Sequence, residues 1–81
     1  MTDRSHVRQV VHEVITEILP SVRAEDIGGR QHLKDLGADS VDRVEIILGV
    51  RERLGVTEPL ASFSDLPDLD HLVAFLTEVT A

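Results

Sequence analysis

The sequence predicts an all-α fold: an antiparallel four-helix bundle of three longer helices and one short one, with a long first loop. Three observations predict it. Apolar residues recur at i, i+3, i+4 and i+7 in three separate stretches. An alternating period of two, the mark of a half-buried strand, is found nowhere in the 81 residues. Capping and stop residues fall at the ends of the periodic stretches. A chain this short forms a single domain, residues 1–81, close to the lower size at which a core alone sustains a fold.

Residues 4–19 form the first helix. Val7, Val10, Val11, Val14, Ile15, Ile18 and Leu19 follow the helical period, while Arg8, Glu13 and Glu17 fall off that stripe. Asp3 or Thr2 caps it and Pro20 ends it. Residues 20–39 make the long connection. Its single, spaced apolar residues Val22, Ile27, Leu33 and Leu36 predict a loop that packs down over helix ends. Residues 40–54 form the second helix, with Val41, Val44, Ile47, Leu48 and Leu54 as the expected buried stripe, Ile46 and Val50 beside it, and Gly55 as the stop. Residues 58–63 hold a short turn of helix with Pro59 at its first position. Residues 68–80 form the last helix, started by Pro67 or Asp68, with Leu69, Leu72, Val73, Leu76 and Val79 as its stripe.

Composition narrows the function. Hydrophobic residues make up 42% of the chain but only Phe63 and Phe75 are aromatic, so the core is expected to be mostly Val, Leu and Ile and easier to part than one locked by stacked rings. The absence of cysteine removes disulfides, thiolate metal sites and a cysteine nucleophile. The N-terminus lacks a basic segment followed by an apolar run, and no stretch is long enough to span a membrane, so a cytoplasmic, membrane-free monomer is expected. The net charge is −7, and its distribution is uneven. Residues 1–34 balance, whereas residues 59–81 carry four acidic side chains and no basic one. Such a surface repels a phosphate backbone, which disfavours nucleic acid as the partner, and none is expected. It attracts a basic protein surface.

The junction "DLGADSVDRVEI", residues 35–46, concentrates the functional signal. Ser40 stands where the loop enters the second helix, between Asp39 and Asp42. Asp39 and Ser40 are both good capping residues, and Asp42 and Glu45 complement the positive helix end. Helix capping therefore accounts for the whole run. A second account makes Ser40 a modification site: an accessible hydroxyl at a helix start, where an attached phosphodiester is favoured and Val41 and Val44 lie alongside.

The longer run "DLGADSVDRVEIILGVRERLGV" resembles the carrier motif of acyl carrier proteins, in which Asp-Ser and an aliphatic residue open the second helix. "LKDLGADS" and "VRERLGV" match the family's flanks, and the order of elements fits over essentially the whole chain. The resemblance implies an acyl-carrier-protein-like bundle with Ser40 carrying a 4′-phosphopantetheine arm, attached by a phosphopantetheinyl transferase from coenzyme A. It implies a carrier, not an enzyme, serving an acyltransferase, a ketosynthase or an HMG-CoA-synthase-like enzyme. The implied partner surface is Asp35, Asp39, Val41, Asp42, Arg43, Val44 and Glu45.

Arg43 departs from the pattern of fatty-acid carriers, which tend to have a small polar residue there. It either pairs with Asp39 or Asp42 or selects partners. The run "ADSVDRVEI" is more similar to the donor carriers of polyketide β-branching cassettes, which hold an acetyl group, and a free-standing chain from Met1 agrees with that. Carriage for fatty-acid or other polyketide synthesis is the alternative. A non-carrier protein-binding module with Ser40 as a cap is the alternative of another class. A seam lined by Ile47, Leu48, Leu72 and Leu76 is expected to shelter a long acyl chain if it parts, and to stay closed for acetyl.

The sequence argues against an enzyme: a Ser-His-Asp triad is open on residue types alone, but so small a bundle offers it no oxyanion pocket. His6, His12, His32 and His71 form no His-x-x-x-His pair for zinc, "GADSV" is not a hydrolase elbow, and "DLPDLD" has the wrong spacing for a calcium loop. No catalytic residue and no metal ligand is expected.

Overall fold

The computed structural model describes residues 3–80. Three α-helices appear in chain order: α1 (Arg4–Ile18), α2 (Ser40–Leu54) and α3 (Leu69–Thr80). Short 3₁₀ turns occupy Ala24–Asp26, Leu33–Leu36 and Leu60–Phe63, and no strand occurs among the described residues. The all-α bundle with a long first loop is thus present, its short fourth element being the tighter Leu60–Phe63 turn. Pro59 precedes that turn as its cap rather than opening it.

Helix α1 is the centre of the bundle and packs against both α2 and α3. Its stripe is buried at Val7, Val10, Val11, Val14 and Ile15. Four of these are valines, poor helix formers in isolation, so burial rather than propensity holds α1 together. Asp3 caps it, its carboxylate accepting from the His6 N–H at 2.8 Å; Thr2, the other candidate, lies outside the described residues. Helix α3 buries Leu69, Leu72, Val73 and Leu76 as its period predicts.

Helix α2 departs from expectation. Ile46 and Val50 are its buried residues, whereas Val41, Val44 and Leu48 are 63%, 46% and 43% exposed. The expected stripe is therefore largely its outer face. Gly49 shows the cause. A Cβ built there would meet Val14 Cγ1 at 3.0 Å, so the bare glycine lets α2 approach α1 along the Ile46–Val50 side. The apolar residues of α2 span more than one face, and close approach rather than their number decides which face turns in.

The long loop packs as expected. Leu33 is buried, and Val22, Ile27 and Leu36 lie half-buried against the core. The loop also serves α3. The Leu69 N–H donates to the Gln31 carbonyl (2.9 Å) and the Asp70 N–H to the Gly29 carbonyl (2.8 Å). The His71 N–H donates to Asp68 Oδ1 (2.9 Å) and the Leu72 N–H to the Asp68 carbonyl (3.1 Å). All the N–H groups that open α3 thereby find acceptors, two from the loop and two from Asp68. A Cβ on Gly29 would meet the Asp70 carboxylate, which would have to swing aside at this crossing. The core is mostly Val, Leu and Ile as expected, and its two rings, Phe63 and Phe75, meet edge to face, centroids 5.2 Å apart, and tie the Leu60–Phe63 turn to α3.

Candidate functional site

Two capping motifs in succession aim the loop at Ser40. In the first, His32 Nδ1 accepts from the Lys34 N–H (3.0 Å) and Asp35 Oδ2 from the His32 N–H (2.9 Å). Gly37 then takes a left-handed conformation, φ 92°, that turns the chain toward α2. In the second, Asp39 Oδ1 accepts from the Asp42 N–H (2.8 Å), and the Asp39 N–H returns to Asp42 Oδ2 (3.3 Å). This reciprocal box starts α2. The cap is Asp39. Ser40 is the first helical residue, exposed, and no hydrogen bond engages its hydroxyl among the described residues. The reading of Ser40 as a cap is therefore corrected: Asp39 already satisfies the donor that a cap serves.

Ser40 lies on the wall of a cleft of about 450 Å³. Arg43, Val44 and Ile47 continue that wall down α2, and Leu60, Phe63 and Leu72 face them. The volume falls in the range of small-molecule sites. Of the expected seam, Ile47 and Leu72 line this cleft. Leu48 and Leu76 do not: Leu48 is on the outer face and Leu76 is fully buried in the core. The opening sits at the Ser40 end of α2 rather than midway along it.

The remaining residues of the expected surface divide into three groups. Asp39 and Asp42 are held by the capping box, and Asp35 by the turn before it. Val41 and Glu45 are exposed on the outer side of α2, continuous with Val44 and Leu48. Arg43 is half-buried and lines the cleft; none of the ion pairs or side-chain hydrogen bonds among the described residues involves it. The expected pairing of Arg43 with Asp39 or Asp42 is thus not made, because both carboxylates are turned to backbone N–H groups.

The cleft does not make Ser40 a catalytic nucleophile. His32 lines it, but its Nδ1 is taken by the Lys34 N–H and no hydrogen bond among the described residues joins the ring to Ser40. Asp68, also on the wall, is engaged by the His71 ring at 2.6 Å. That bond, joined by the His71 backbone N–H, holds the Asp68 carboxyl below its ordinary value. His32 was missed as a site residue. Its signal was present as the His-x-x-Asp spacing of residues 32–35, which repeats the Asp-x-x-Asp spacing of the box at residues 39–42. No group of side chains among the described residues is arranged to hold a metal ion, and no helix there is long and apolar enough to cross a membrane.

Comparison with known proteins places this geometry. The family model described as the phosphopantetheine attachment site matches residues 9–76. The chain is 34% identical over 74 residues to the polyketide biosynthesis acyl-carrier-protein AcpK of Bacillus subtilis (strain 168), covering 91% of this chain and 90% of that one. It is 31% identical over 68 residues to the acyl carrier protein of Helicobacter acinonychis (strain Sheeba), covering 84% and 87%. It is 30% identical over 64 residues to the non-reducing polyketide synthase adrD of Penicillium roqueforti, 79% of this chain but 2% of that enzyme. No solved structure matches the chain significantly.

Proposed function

The chain belongs to the phosphopantetheine attachment family, that of the acyl carrier proteins, and from this premise we propose that Ser40 receives the 4′-phosphopantetheine arm. The protein is a carrier and its cofactor is phosphopantetheine; the chemistry belongs to the enzymes it serves. The observation that carries the Ser40 assignment is the division of labour at the start of α2. Asp39 caps the helix, which leaves the Ser40 hydroxyl exposed, unengaged and beside a cleft. The surroundings fit the group: an accessible oxygen for the phosphodiester, a half-buried arginine three residues on, and apolar walls beyond. When attached, the arm supplies a thiol that holds an acyl group as a thioester.

The partner surface is the outer side of α2 with the turn before it. Asp35, Asp39, Asp42 and Glu45 give it negative charge, and Val41 and Val44 give it apolar contact. This combination suits brief docking to basic patches, where rapid exchange matters more than affinity. Leu48 extends the apolar line. The phosphopantetheinyl transferase is the first such partner, and an acyltransferase, a ketosynthase or an HMG-CoA-synthase-like enzyme follows it.

The finer reading is a single-domain, cytoplasmic, monomeric carrier for polyketide synthesis, the acetyl donor in β-branching. Its support is the run "ADSVDRVEI" with Arg43 and the polyketide name of the Bacillus relative. Incubation with coenzyme A and a promiscuous phosphopantetheinyl transferase should add one phosphopantetheinyl mass to the native protein and none to Ser40→Ala. The acetyl form should then feed an HMG-CoA-synthase-like enzyme acting on a β-ketone held by a second carrier. Acetyl transfer to a ketosynthase alone would instead favour ordinary polyketide or fatty-acid extension.

A further inference from the structure

We propose that Arg43 binds the phosphodiester joining the arm to Ser40, and so directs the arm over the cleft between α2 and the Leu60–Phe63 turn. This rests on Ser40 being the attachment site. The argument is an accounting of charge around that residue. Asp35 accepts from the His32 N–H, Asp39 from the Asp42 N–H, Asp42 from the Asp39 N–H, and Asp68 from both the ring and the backbone of His71. Asp35, Asp39, Asp42 and Asp68 are thus each fixed by a neighbour, and Glu45, the other acidic side chain of the junction, lies exposed on the outer side of α2. Arg43 is the arginine on that wall, and among the described residues no carboxylate pairs with it.

A guanidinium on the cleft wall with no carboxylate paired to it is available to an anion. Residues three apart on a helix have neighbouring side chains, so an oxygen bonded to phosphorus at Ser40 falls within reach of Arg43. The guanidinium fork matches two phosphate oxygens at once. The rest of the wall below Arg43 is apolar, at Val44 and Ile47, so a phosphate held there leaves the remainder of the arm lying along the cleft. A carboxylate on the acyl group is the other anion that could reach Arg43. The phosphodiester is favoured because its position is fixed by a covalent bond three residues away, whereas the acyl end hangs from a long flexible chain.

The test is nuclear magnetic resonance of unloaded and arm-loaded protein, with intact mass confirming loading. In native protein, loading should shift the Arg43 Nε resonance and the amides of Ile47, Phe63 and Leu72. Raising the salt from about 50 mM to about 1 M should move the phosphorus line, because the ion pair is screened. In Arg43→Gln the salt response and the cleft-amide shifts should be lost, while Val41 next to the attachment point still shifts. Arg43→Lys should keep the salt response. An unchanged phosphorus line and unchanged cleft shifts in loaded Arg43→Gln would overturn the proposal. So would an Arg43 response that appears only with a carboxylate-bearing acyl group. If the native protein gains no mass, the Ser40 reading itself fails, and the mass spectrum tells that failure apart from a failure of Arg43.

Discussion

Ser40 and Asp39 are adjacent, chemically similar as caps, and structurally unlike. Both could accept from a free N–H at the start of a helix, so composition left the choice open. Geometry resolves it, since only Asp39 has Asp42 three residues on to return the bond. The two residues therefore respond differently to the same change. Asp39→Ala should cost roughly 1 kcal/mol of stability by loss of the cap and still accept the arm. Ser40→Ala should unfold at nearly the native midpoint and accept nothing. Urea unfolding with intact mass on the same samples checks both. Ser40 stood out in the sequence as the proposed attachment residue because it lies in an extended run. The freedom of Arg43 was not legible, because it depends on where two neighbouring carboxylates point.

At the scale of elements, α1 and α3 were readable and α2 was not. Each of the former has one apolar stripe that coincides with its buried face. In α2 the stripe with most members, Val41, Val44 and Leu48, faces out, and the buried pair is Ile46 and Val50. The apolar residues of α2 lie on two faces, and periodicity alone cannot rank two apolar faces. Gly49 held the missing information. Replacing it with leucine should wedge α2 from α1 at Val14 and destabilise the fold by about 1–3 kcal/mol. Leu48→Ala, on the outer face, should change stability far less. Thermal unfolding of the two variants separates them, and equal losses would contradict the orientation of α2.

The whole molecule joins an acidic second half, an aliphatic core centred on α1 and a cleft that opens beside Ser40. The long loop fits that plan: its packing was legible from spaced apolar residues, but its grip on the start of α3 was not, because backbone carbonyls leave no mark in a sequence. Two ionisable groups give the molecule a pH dependence. Burial, and then the Arg8 charge, push the His12 imidazole below 6.5. Folding thus favours its neutral form, and stability falls as the pH drops below 6.5 toward the lowered folded value. His12→Gln should flatten that part of the profile. The depressed Asp68 carboxyl, held chiefly by the His71 ring, contributes above 3.8 and is lost as the pH falls through its lower folded value. In acid the start of α3 should therefore fray first, seen as faster amide exchange at His71 and Leu72 than at the centre of α1. The central claim, that Ser40 bears the arm, is tested most directly by peptide mapping of the loaded native protein. Trypsin cutting after Lys34 and Arg43 releases "DLGADSVDR", whose one hydroxyl side chain is that of Ser40. The phosphopantetheinyl mass should lie on that peptide; finding it on a peptide carrying Ser5, Ser21, Ser62 or Ser64 would contradict the account.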